Sequence, residues 1–353
     1  MESGENTKIK GKRRLVFAEI LEHHKVQTTY WSTKHETISA EYLEAAYFAA
    51  CQVNNTRPLQ HVITQLREGS AQLSFKGTRL DLSQVDALEV IFQNRQFEHI
   101  SLEGCFTNQD AAAAMMDILL HYESSASVDF GLNRNLGSRA WISAAQLVKR
   151  SSRINTFDAQ SANIPDAALA PFSRALRSSP FLRVLRLEGC SLSGRPVALL
   201  TAGLRQNNSV HELYLAENRL APEDGAHLRA LISLSSTLQL LDLRNNDLQD
   251  IGLLHLCEGL KVARCVLETL VLWNNKISTK SINAAAEALL TNKKLVTLNM
   301  GQNAIQDTGA YILKQGLQSN CSIKRLGLVG CRLTDQGIVA IAEFLAESTR
   351  LQR

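Results

Sequence analysis

A chain of 353 residues with 20% charged residues, 6% aromatic residues and a formal net charge of +4 is balanced in charge and poor in aromatics. That composition argues against a nucleic-acid partner, because neither a dense basic surface nor a base-stacking platform can be assembled from it. No run of about 18 apolar residues occurs, so no membrane span is expected, and no apolar stretch follows the basic residues near Met1, so no secretory leader is expected.

In chain order, the first element is a polar, charged tail, residues 1–36, in which little order is expected. It contains Gly11–Phe17, GKRRLVF, a basic run that ends in two apolar residues and a phenylalanine. On composition alone, KIKGKRR reads as a solvated basic tail or a nuclear-import patch. His23 and His24 stand side by side and read as a solvated loop pair, since no Cys or carboxylate set has ligand spacing with them. Residues 37–70 follow, and TISAEYLEAAYFAACQVNN and RPLQHVITQLREG carry apolar residues at helical spacing. Two helices are predicted there, placed as a cap over one end of a sheet.

Residues 71–353 are periodic. LQLLDLRNNDL from Leu238, LETLVLWNNKI from Leu267 and LVTLNMGQNAI from Leu295 each read L-x-x-L-x-L-x-x-N-x-L, the leucine-rich-repeat signature. Further copies open at Ile154, Leu182, Val210 and Ile323, so successive starts lie 28 or 29 residues apart. Weaker copies begin at Phe97 and Val128. Between the copies the pattern turns helical, as in QDIGLLHLCEGL. The fold class is therefore α/β, a leucine-rich-repeat horseshoe solenoid of 28–29-residue β-α units. A full helix in each unit resembles the long, ribonuclease-inhibitor-like form of the repeat.

Alternation decides the faces: Leu270 and Leu272 point inward, while Thr269, Val271 and Trp273 point outward. One unit cannot bury its leucines alone, so stacking supplies the core. The Asn after each strand is expected to bond the turning backbone. Cys105, Cys190 and Cys331 occupy that slot and are read as structural. At the far end Leu351 lies 28 residues after Ile323, so it opens a further strand, and no polar capping unit is seen.

The seven cysteines are scattered and form no C-x-x-C pair, which fits a reducing compartment, so an intracellular, cytoplasmic or nuclear, location is expected. No glycine-rich phosphate loop, H-E-x-x-H or G-x-S-x-G is present. The reading is a non-enzyme with no cofactor, no metal and no small-molecule substrate. One enzyme-linked class stays open: some leucine-rich-repeat proteins activate small GTPases through a loop residue, and nothing singles out such a residue. The outward strand positions offer Arg186, Tyr214, Asp242, Arg244 and Trp273 as a stripe for a protein partner, in residue types that anchor interfaces. The alternative is that neighbouring strand residues pack together and cover Trp273.

The tail then acquires a sharper reading. A basic pair, a branched apolar residue, any residue, then an aromatic resembles the docking motif of protein phosphatase 1 regulators. Arg13 and Arg14 match the basic part, Leu15 stands where the motif has Val or Ile, and Phe17 matches the aromatic. Such a tail, then a helical cap, then repeats carrying SLSGRPVALL, LYLAENRL, LDLRNNDLQDIGLLHLCEGLK, LVLWNNKI and AIAEFLAES, resembles the protein phosphatase 1 regulatory subunit 37 family. The resemblance implies a regulator that binds the phosphatase catalytic subunit through Arg13, Arg14, Leu15 and Phe17 and lowers its activity. Two departures are Leu15 itself and the further repeat and polar tail with which family members continue. A scaffold that uses only its outward strand face is the competing reading, with a GTPase activator behind it.

Overall fold

The computed structural model describes residues 39–347. The body Thr37–Arg353 contains one parallel sheet in which strands pair strictly in sequence order. The strands are β1 Gln72–Ser74, β2 Phe97–Ser101, β3 Ser125–Asp129, β4 Thr156–Asp158, β5 Val184–Arg186, β6 Glu212–Tyr214, β7 Leu240–Asp242, β8 Thr269–Val271, β9 Thr297–Asn299 and β10 Arg325–Gly327. Two helices, α1 Ala40–Val53 and α2 Gln60–Arg67, precede β1, and a helix follows each strand, the last being Asp335–Glu347. Parallel strands need such crossovers, and these cover one face of the sheet only. Strands repeat every ~4.8 Å but packed helices need ~8–10 Å, so stacking bends the array with the sheet on the inner side of the curve.

The register is exact from unit to unit, with Leu185, Leu213, Leu241, Leu270 and Leu298 aligned and buried beneath the sheet. In the early units phenylalanine takes such positions: Phe75, Phe97, Phe130 and Phe157 are fully buried. Phe130, Phe157, Trp141 and Phe172 form a ring cluster with centroids 5.6–6.3 Å apart. That substitution is why the signature is faint there. In β10 the equivalent Leu326, like Leu328 beyond it, is only half-buried, and Val329 is 67% exposed. No described unit stacks on them.

Two polar ladders join the units. In the first, Asn246 Oδ1 accepts the backbone N–H of Asn218 at 2.9 Å and of Leu220 at 3.0 Å, while its Nδ2 donates to the Leu215 and Leu243 carbonyls, both at 2.9 Å. Asn133, Asn218, Asn275 and Asn303 repeat this pattern. Cys105, Cys190 and Cys331 reproduce half of it, each thiol donating to a carbonyl of the preceding unit at 3.1–3.2 Å. The second ladder lies where helices return to strands. Asn207, Asn292 and Asn320 donate to the end of the previous unit's helix and accept the amides that open their own strand. At the free side of β1, the Gln65 side chain accepts from Ser74 N–H at 2.7 Å and donates to its carbonyl at 3.0 Å, so the edge is satisfied by an amide that mimics a strand.

Six of the seven cysteines are buried and Cys321 is exposed. Burial pushes the Cys105, Cys190 and Cys257 thiols up to about 12. Since the thiolate is the reactive form, iodoacetamide at neutral pH is expected to label Cys321 alone in the native protein and the other six only after unfolding. Mass mapping that finds rapid native labelling of Cys190 or Cys257 would contradict the burial.

Candidate functional site: the open face of the sheet

The face opposite the helices carries the outward side chains in rows. One row runs Asp129, Asp158, Arg186, Tyr214, Asp242, Val271 and Asn299 across consecutive strands. A second row lies two residues further on and includes Gln160, Glu188, Ala216, Arg244, Trp273 and Gly301.

Four side chains of the first row close a turn at the strand exit. Asp129, Asp158, Asp242 and Asn299 each accept the backbone N–H two residues ahead, at 2.9–3.0 Å. Short polar side chains do this readily, which explains their recurrence at that position. The other carboxylate oxygens have partners too: Asp129 accepts Ser101 Oγ at 3.1 Å, Asp158 accepts Gln160 Nε2 at 3.1 Å, and Asp242 faces Arg244 Nε at 3.2 Å.

Between these acids stands a cation. The Arg186 guanidinium lies 4.2 Å from the centroid of the Tyr214 ring, which donates its hydroxyl to Glu212 at 2.8 Å. Stacking on an aromatic face leaves the guanidinium edge free to bond. Burial raises the Asp158, Glu188 and Asp242 carboxyls above the ordinary range. Neighbouring acids push Asp158 and Glu188 further up, and Arg186 partly offsets all three. Burial and the bond to Glu212 push the Tyr214 hydroxyl up to about 12.

Of the five residues picked from the sequence, Arg186, Tyr214 and Asp242 share the first row, while Arg244 and Trp273 share the second. Trp273 is half-buried, and its six-membered ring occupies the space that a side chain at Gly301 would need. The indole is therefore laid along the sheet onto the next unit. A methyl group at Gly301 must expel it, so Gly301→Ala is expected to cost about 1–3 kcal/mol of stability by overpacking. Trp273→Ala in the same chain should recover much of that loss. Melting curves of the two single variants and the double variant would check the coupling. Asp158 and Glu188 stand outside the stripe read from the sequence, although strand alternation turns Glu188 outward. Their signal was the charge that recurs at or just past the strand exit. Arg13, Arg14, Leu15 and Phe17 lie outside the described residues.

Among the described residues no group of three or more His, Cys, Asp or Glu is placed to hold a metal ion. No described helix is long and apolar enough to cross a membrane. A parallel sheet with one face covered by helices leaves the other as an extended open surface. The protein is a leucine-rich-repeat protein, and a Leucine Rich repeat profile matches residues 234–257, 291–313 and 319–342.

Within that class the chain is a homologue of the proteins named protein phosphatase 1 regulatory subunit 37. It is 40% identical to the human protein over 251 residues, which is 69% of this chain and 36% of that one. It is 41% identical to the Danio rerio protein over 72% of this chain and 28% of that one. The Caenorhabditis elegans homologue is 32% identical over 76% of this chain and 30% of its own length. The matched region thus spans between a quarter and a little over a third of the curated relatives. Among solved structures, a chain of the yeast Rad7 and Elc1 complex aligns at 16% identity with a TM-score of 0.48, covering 86% of this chain and 79% of that one.

Proposed function

We propose that this protein is a regulatory subunit of protein phosphatase 1 that holds the catalytic subunit through Arg13, Arg14, Leu15 and Phe17 and lowers its activity. The observation that carries this reading is the homology to proteins named as regulatory subunits of that phosphatase. The sequence GKRRLVF supports it, because an extended segment places Leu15 and Phe17 on one side, two residues apart, ready for two pockets at a sheet edge. Arg13 and Arg14 steer that segment toward an acidic rim. A peptide anchored away from the reaction centre need not block it, so the repeat array supplies the second contact that reduces turnover.

The test is capture of the purified catalytic subunit by the full chain and by its Leu15→Ala/Phe17→Ala variant, with dephosphorylation of a phosphoprotein followed in parallel. Capture that depends on the two residues, together with slower dephosphorylation, is expected. Equal capture by the variant would remove the docking role, and capture without slower turnover would remove inhibition.

A further inference from the structure

We propose that the acidic centre of the open sheet face, Asp158, Glu188 and Asp242, receives a lysine or arginine side chain from a protein partner. This goes beyond phosphatase docking, since it needs neither Leu15 nor Phe17. Three observations lead to it.

The first is an unmet bond. Glu188 is only 9% exposed, yet its Oε2 has no hydrogen-bond partner among the described residues. Leaving a buried carboxylate oxygen unpaired carries a penalty that a donor from outside removes. The neighbouring aspartates are different: their oxygens already close strand-exit turns or meet Gln160 and Arg244. The vacancy is therefore at Glu188.

The second is charge. Asp158 and Asp242 act on Glu188 electrostatically across the face, and Arg186 is the cation that also reaches it. Three carboxylates against two guanidiniums, the stacked Arg186 and the Arg244 that pairs with Asp242, leave a net negative centre. Charge complementarity selects a basic side chain. The carboxylates are not drawn together as metal ligands, which favours a cation that brings several hydrogen-bond donors on a long stem, as Arg or Lys does.

The third is the platform. Arg186 on Tyr214 presents a flat polar surface beside Glu188, and the next residue in the row of Glu188 is Ala216, whose side chain is short. Ala216 is itself buried and Glu188 Oε2 is covered, so an incoming arm reaches that oxygen by turning aside the side chains above it.

Glu188→Gln keeps shape and removes the charge. Burial, with Asp158 and Asp242 adding and Arg186 offsetting, holds the Glu188 carboxyl above its ordinary range. The native state then keeps its proton where the unfolded chain has released it, so stability falls as pH rises through that window. Removing the charge is thus expected to leave the melting temperature at neutral pH unchanged or higher, and lost binding could not be blamed on unfolding.

The experiment uses the full chain and a short capped peptide alternating arginine and alanine, with lysine and glutamate versions beside it, followed by titration calorimetry. The arginine and lysine peptides are expected to bind and the glutamate peptide not to. Glu188→Gln should weaken binding by about tenfold or more, where tenfold corresponds to 1.4 kcal/mol. Glu287→Gln, the same charge change on the helix side, should leave it unaltered. No binding of either basic peptide, or equal weakening by both substitutions, would overturn the proposal, because attraction would then be absent or merely diffuse. Survival of peptide binding in the Leu15→Ala/Phe17→Ala variant keeps this result separate from the fate of phosphatase docking.

Discussion

Replacing Asn246 by alanine is expected to destabilise the repeat array by about 2–6 kcal/mol. The estimate follows from its bonds. Two backbone amides, of Asn218 and Leu220, lose their acceptor, and the Leu215 and Leu243 carbonyls lose a donor. All are in a buried turn, where each unpaired group costs roughly 1–3 kcal/mol. Three of these partners, Leu215, Asn218 and Leu220, belong to the strand exit and turn of the preceding unit, so the damage falls on the junction between neighbours, the term that holds a one-dimensional array together. Asn246→Cys should cost less than Asn246→Ala. A thiol in this slot donates to the preceding unit's carbonyl, as Cys331 does to Met300 at 3.2 Å, although it cannot accept the two amides. Chemical denaturation of the three proteins measures both differences. An alanine variant within 1 kcal/mol of wild type, against the ~1–3 expected for even one orphaned group, would mean that the ladder is ornamental.

The ladder also illustrates what a sequence of this kind displays. A 28-residue period makes any position that recurs at fixed phase visible, and Asn133, Asn218, Asn246, Asn275 and Asn303 do recur. The fold class and the two sheet faces follow from the same arithmetic, because inward and outward side chains alternate along each strand. The second ladder is equally periodic. Asn207, Asn292 and Asn320 stand three residues before a repeat start, a place also held by Ser151, Ser179 and Ser235, and the leucine pattern draws attention away from it.

The open face was only partly legible. Arg186 and Tyr214 were both recognisable as outward residues of anchoring type, but their stacking is a property of adjacent strands in exact register. Glu188 looks like any other surface acid in the sequence. Its burial and its unpaired Oε2 come from the neighbours on both sides, which no single repeat contains. Trp273 is the reverse case. Its exposure in the strand pattern suggested an anchor, and the glycine one unit ahead, Gly301, provides it a bed on the sheet. Side chains that point away from a core still find partners along the stacking direction.

The Leu15→Ala/Phe17→Ala variant is expected to lose phosphatase capture by a factor of roughly 10²–10⁴. Burying each apolar side chain contributes roughly 1.5–3 kcal/mol, so truncating both removes about 3–6 kcal/mol, and every 1.4 kcal/mol is tenfold in affinity. Against this, ordering the docking residues costs roughly 1–2 kcal/mol each, which leaves an isolated peptide with modest affinity. The full chain should therefore bind more tightly than a peptide of residues 8–30, by the effective concentration that a second contact confers. The two contributions separate by salt. Arg13→Ala/Arg14→Ala is expected to weaken capture most at low ionic strength and little at high, because exposed charges beyond a Debye length are screened, whereas the Leu15/Phe17 loss should persist at every salt concentration. A double variant that binds the catalytic subunit as well as wild type does, across that range, would leave the tail as a solvated basic arm and place any recognition of the phosphatase on the open face of the repeats, where Glu188→Gln then becomes the decisive substitution.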